Sequence, residues 1–158
     1  MKNRTKSNFF ASCAIVTGLV FGLVNLAEAR PWSERKLDKA ILKIDRDLTR
    51  KRWESVIKRS EKAIPECVAR YSQRHPMCIV MLKNINHSYE QTRRFNPNPS
   101  QIEAAYRLSM EAFGTAHSTT VKTRDYYYKF LIFTEDYAAA VPLVKEIIAL
   151  EEAGANDA

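Results

Sequence analysis

Apolar side chains in the first third of the chain recur every three or four residues. Leu37, Ile41, Ile44 and Leu48 form one such stripe, the spacing of a single helix face, and Ser33 before Glu34 supplies an N-cap. A first helix is therefore expected from Ser33 to about Arg50. Trp53, Val56, Ile57, Ala63 and Ile64 mark a second, from Trp53 to Tyr71, which Pro65 should kink or end early. A third carries Ile79, Leu82, Ile85 and Tyr89, starts after His75-Pro76 with the proline in its first turn, and reaches its limit near Arg94. The segment Asn96-Pro97-Asn98-Pro99-Ser100 reads as a turn, with Ser100 capping a fourth helix from Gln101 to Phe113 and Gly114 stopping it. A fifth helix from about Ser118 to Phe133 and a sixth from about Tyr137 to Glu152 complete the set. After residue 29 the only glycines are Gly114 and Gly154, and Ala, Leu, Ile, Glu, Lys and Arg dominate, so the expected fold class is all-α, with parallel and sandwich sheets excluded.

The chain also matches itself at a spacing of 42 residues. Trp53, Phe95 and Tyr137 align, as do Ala63, Ala105 and Ile147, and His75 falls on His117. A fixed period of this size implies stacked helical hairpins, here six helices in three pairs. The first helix fits the apolar pattern best when shifted by one residue, which implies a one-residue deletion before Trp53.

Two stretches carry a family resemblance. Leu82-Lys83-Asn84-Ile85-Asn86-His87-Ser88-Tyr89, running on to Phe95, is similar to the first helix of the 42-residue tetratricopeptide repeats of kinesin light chain and its bacterial relatives. Residues 105 to 117, ending Phe113-Gly114-Thr115-Ala116-His117, resemble that repeat's second helix and the connection after it. The resemblance implies antiparallel hairpins stacked as a short tetratricopeptide-like α-solenoid, with Ala63, Ala105 and Ala140 permitting close helix approach and Trp53, Phe95 and Tyr137 filling the space between hairpins. The pattern is broken at the turn glycine, replaced by Arg93 and Glu135, and at a small-residue position occupied by Asn86 and Tyr128.

By the same resemblance the first helix of each pair lines a concave groove that holds an extended peptide. Asn84 matches the family's backbone-binding asparagine. Lys83, His87, Glu90 and Gln91 would face the groove from the second copy, and Lys122, Asp125, Tyr126 and Lys129 from the third. The bland alternative is that these are ordinary solvated helix faces. Tyr126, Tyr127 and Tyr128 run round a helix, so at least one of them belongs to the core.

The ends set boundaries. Lys2, Arg4 and Lys6 precede an uncharged run from Phe9 to Ala27, closed by Ala27-Glu28-Ala29, which is the form of a secretory signal peptide cleaved after Ala29. A retained membrane anchor is the rival reading, since the run just reaches spanning length. Residues 1–29 are thus a signal peptide, 30–152 the repeat domain and 153–158 a disordered tail, giving a periplasmic or secreted product with no membrane span after cleavage. Export also bears on Cys67 and Cys78, the two cysteines left after Cys13 departs: they are expected to form a disulfide across the turn centred near Ser72 and Gln73.

Charge divides the chain. Residues 30–95 hold 17 basic against 8 acidic side chains, whereas residues 96–158 hold 5 against 9. A basic half of this kind attracts anionic partners, though a solvated face is its ordinary meaning, and export disfavours nucleic acid. His75, His87 and His117 match no metal-ligand spacing, and no phosphate loop, nucleophile elbow or zinc-protease motif occurs. No cofactor, metal or catalytic residue is expected. The sequence therefore supports an exported non-catalytic scaffold binding a protein or peptide, the alternative being a structural envelope factor docked on an anionic surface or polymer. The last helix has no polar cap after it, so its outer face is expected to be covered by a partner or a second copy.

Overall fold

The computed structural model describes residues 31–156, so the expected signal segment lies outside it. Six helices account for almost all of the described residues: α1 Glu34–Thr49, α2 Trp53–Tyr71, α3 Pro76–Gln91, α4 Pro99–Phe113, α5 Ser118–Phe133 and α6 Tyr137–Asn156. No strand occurs among the described residues, and the fold is all-α.

The 42-residue period is written into the backbone. α1, α3 and α5 are each 16 residues long and begin at positions 34, 76 and 118. Each ends on a residue in the left-handed region, Lys51 (φ 53°), Arg93 (φ 57°) and Glu135 (φ 60°). The amide that follows each one donates back into its helix, from Arg52 to Asp47 (2.8 Å), Arg94 to Tyr89 (3.0 Å) and Asp136 to Leu131 (2.9 Å). This is the helix ending that glycine normally serves, since a side chain costs least there when it has no Cβ. The return turns match as well: Ser72 (φ 89°) and Gly114 (φ 82°) close α2 and α4. After them His75 and His117 cap α3 and α5, each Nδ1 accepting an amide, from Met77 (3.3 Å) and Thr119 (3.1 Å). Their rings stack on Tyr71 and Phe113 at 4.7 and 4.8 Å.

This regularity corrects the expected deletion before Trp53. Leu37, Ile44 and Asp47 of α1 are buried at the positions of Ile79, Asn86 and Tyr89, so the first copy keeps the common register. The apparent shift arose because its last inward position is Asp47, which accepts from Arg59 Nε at 2.8 Å and so carries no apolar signal.

Three helix boundaries differ from expectation, and Pro65 does not end α2 early. α2 continues through Pro65 to Tyr71, because Pro65 lies on the exposed face, where water can serve the carbonyl it leaves without an amide. α3 ends at Gln91, before Arg94, at the left-handed turn. α4 starts at Pro99, whose fixed φ suits the first helical position; Asn98 is its N-cap, and Ser100 bonds Asn98 Oδ1 at 2.6 Å. α6 runs to Asn156 where a tail from 153 was expected, Glu151, Glu152 and Ala153 being good helix formers.

Consecutive helices pack on one another, and α3 also packs on α5. One apolar core, including Leu37, Val56, Ile64, Ile79, Ile85, Ile102 and Leu108, is continuous from α1 to α5. Cys67 and Cys78 are both buried in it at disulfide distance, with Cα atoms 5.7 Å apart, fastening the end of α2 to the start of α3. α6 is held differently, by the small cluster Tyr106, Leu131, Ala140 and Leu143. Beside that cluster Arg124 Nη1 meets Glu146 Oε1 at 3.0 Å, and the Tyr106 hydroxyl donates to Glu146 Oε2.

Candidate binding cleft

Because α3 and α5 pack side by side, residues 39 apart in sequence meet across them. Lys129 Nζ of α5 bonds Glu90 Oε1 of α3 at 2.5 Å. One turn and more toward the helix starts, Lys83 and Lys122 occupy the same relation. Between these two levels lies a cleft of about 190 Å³, lined by Lys83, His87 and Glu90 from α3 and by Lys122, Asp125, Tyr126 and Lys129 from α5. Seven of the nine groove residues expected from the sequence are thus brought together.

The other two are not in it. Asn84 is buried and lines a neighbouring cleft of about 230 Å³ with Ile41, Ile44 and Asp45 of α1 and Met77, Val80 and Met81 of α3. Gln91 is exposed at the last position of α3 and lines neither cleft.

The charges of the α3–α5 cleft are unequally matched. Glu90 is shared between Lys129 and His87, whose Nδ1 lies 3.7 Å from Oε2. Lys83 and Lys122 have no anionic partner within ion-pair distance among the described residues. Burial holds the Lys83 ammonium below its ordinary range and the Lys122 charge adds to this, with Asp45 opposing both. Two like charges, one partly desolvated, face the same space. An anion entering there would relieve both terms.

The floor is polar. Asn86, which the family resemblance marked only as a departure, is buried and lines the cleft with Thr123. Its Oδ1 accepts from Asn96 Nδ2 at 2.9 Å, and that orientation is fixed because Asn96 Oδ1 accepts the Asn98 amide at 3.0 Å. Asn86 Nδ2 is consequently left as a buried donor with no protein acceptor. The Asn96 amide donates to the Tyr126 hydroxyl at 3.0 Å, and this hydroxyl donates to the Arg94 carbonyl at 3.4 Å. Burial pushes the Tyr126 phenol up to about 12, the Asn96 amide pulling the other way. Tyr126 is the core member of its tyrosine run. The rings of Trp53 and His87 meet edge to face, with centroids 5.5 Å apart.

Asn86 and Asn96 are the residues that sequence reasoning missed. The signal was present: a polar side chain at the position where the first copy has buried Ile44 asks for a partner inside the fold.

Two other surfaces stand out. On α6, Tyr137, Val141, Val144 and Ile148 form an exposed apolar stripe, and Tyr137 is 59% exposed where Phe95, its equivalent, packs on Tyr126, Phe130 and Phe133. On α1 and α2 a lysine-rich concavity opens beside Trp32. Among the described residues no three His, Cys, Asp or Glu side chains converge as a metal site would require, and no helix is long and apolar enough to cross a membrane. No protein-family model, curated protein or solved structure was found to match the chain.

Proposed function

We propose that the protein is an exported, non-catalytic scaffold of tetratricopeptide-like hairpins that holds an extended protein or peptide segment across α1, α3 and α5. The export half of this reading rests on the basic, apolar and Ala-x-Ala pattern of residues 1–29. The observation that carries the binding half is the convergence on one cleft of Lys83 and Lys122, neither with an anionic partner within ion-pair distance among the described residues. Two cations without anions favour a segment that brings an acidic side chain to this point. Glu90 and Asp125 offer acceptors to its backbone amides, and Asn84, in the adjoining cleft, extends the same surface toward α1.

A photo-crosslinking residue placed at His87 or Asp125 tests this in the compartment to which the protein is exported. The expected result is a discrete crosslinked partner that disappears in Lys83→Gln/Lys122→Gln and weakens in Asn84→Ala. Crosslinks unchanged by both variants would sink the reading.

A further inference from the structure

A lysine-lined concavity of about 260 Å³ lies between α1 and α2 and shares no lining residue with the α3–α5 cleft. Lys36, Lys39 and Lys43 reach it from one face of α1, Arg59 and Lys62 from α2, and Trp32 forms its edge. No acidic side chain lines it. The two carboxylates bonded to its lining are both engaged: Asp47 takes Arg59 Nε at 2.8 Å, and Glu66 accepts the Trp32 amide at 2.7 Å. Lys36, Lys39, Lys43 and Lys62 therefore have no anionic partner within ion-pair distance among the described residues. Lysines at i, i+3 and i+7 on one helix face repel, and a fold that needed only solubility would intersperse acids among them.

The concavity is also held in shape before anything binds. Trp32 is tied at its amide by Glu66 and at its carbonyl by Arg70 (3.4 Å), and Arg70 reaches on to Glu34 at 3.3 Å. Lys36 Nζ sits 4.2 Å above the Trp32 ring, which fixes one of the four free ammonium groups in place. Such pre-ordering lowers the cost of gathering like charges around a ligand.

We propose that this concavity binds a phosphate-bearing ligand, the ammonium groups of Lys36, Lys39, Lys43 and Lys62 meeting its phosphate oxygens. The choice of phosphate over carboxylate follows from the donors. Four of the five cations are lysines and the one guanidinium already has its Nε on Asp47, and compact ammonium charges suit a tetrahedral, multiply charged anion better than a planar carboxylate. A soluble polyphosphate and a phospholipid headgroup present the same chemistry.

Calorimetric titration of the purified protein with tripolyphosphate at constant ionic strength, beside flotation with vesicles of equal phosphatidylglycerol and phosphatidylcholine, separates the two sources. Saturable binding is expected that weakens about tenfold or more in Lys39→Gln/Lys43→Gln. It should be unchanged in the charge-matched control Arg107→Gln/Lys145→Gln, on α4 and α6, which lines neither cleft. All four substituted residues are exposed, and circular dichroism checks that each variant folds. Flotation with the same dependence on Lys39 and Lys43 assigns the lipid headgroup; binding of tripolyphosphate without flotation assigns a soluble ligand. Absence of saturable binding in both arms overturns the proposal, as does binding that survives Lys39→Gln/Lys43→Gln or falls equally in the Arg107/Lys145 variant.

Discussion

Arg124 and Glu146 stand at the places that Leu82 and Ala104 occupy one repeat earlier, so an ion pair joins α5 to α6 where α3 and α4 carry two buried apolar residues of one core. The Arg124 side chain is 5% exposed and that of Glu146 19%. A buried pair of this kind gives little net stability over a hydrophobic substitute, yet removing one member strands the other.

Glu146→Ala should therefore destabilise the protein by about 3 to 5 kcal/mol, because Arg124 loses its only acceptor. The double substitution Arg124→Leu/Glu146→Ala, which copies the second repeat, should recover most of that loss. Urea unfolding of both variants measures the difference. A single variant as stable as the parent would mean that α6 is not held through this pair.

Reduction of Cys67–Cys78 should cost roughly 3 kcal/mol in the chain-entropy model, since the cross-link spans a separation of 11 residues. Hydrogen exchange with and without reductant should show the largest acceleration at the end of α2 and the start of α3, with a smaller one at those α5 amides that exchange through global unfolding.

The left-handed residues give a test of the repeat itself. Arg93→Gly and Glu135→Gly should each gain on the order of 0.5 to 1 kcal/mol, because relief of the Cβ clash outweighs the added freedom of the unfolded chain. Arg93→Val should lose stability, a β-branched side chain being least tolerated at positive φ. Thermal unfolding of the three variants distinguishes these outcomes, and a loss with glycine would show that the turn depends on the side chains.

Alkaline pH should unfold the protein through its tyrosines. Burial raises the Tyr89 and Tyr126 phenols from 10.0 to about 12, and Tyr106 and Tyr127 are raised as well. The folded state keeps protons that the unfolded state releases, so their stabilisation is present below pH 10 and declines as pH rises toward 12. Lys83 acts in the opposite sense: its lowered pKa means that stability increases as pH passes from that value to 10.5. Four phenols against one amine should give net loss above about pH 10, followed by phenolate absorbance alongside circular dichroism. Tyr126→Phe should flatten part of the decline.

Helix number and the all-α class were legible because they rest on local periodicity and breakers, and the cysteine pairing because the two residues flank one turn between adjacent helices. Most of the α3–α5 cleft was legible too, since repeat register assigns helix faces. What the pattern hid was polar material inside. Asp47 obscured the register of the first copy because its burial depends on Arg59, a partner twelve residues away on another helix. Asn86 read as a defect and Asn96 as part of a turn, although Asn96 bonds both Asn86 on the cleft floor and the Tyr126 hydroxyl. Pro65 does not end α2 early, because whether a proline stops a helix depends on which face loses the bond, and only packing reveals that face.

Since Lys51, Arg93 and Glu135 end their helices in the same way, the chain has seams. A cut after Arg93 and another after Glu135 release a block of one period whose two ends carry the same local geometry. Tandem duplication of that block would lengthen the molecule by a helical pair while leaving every junction as it is, so the turn that replaces glycine marks where such a protein can grow.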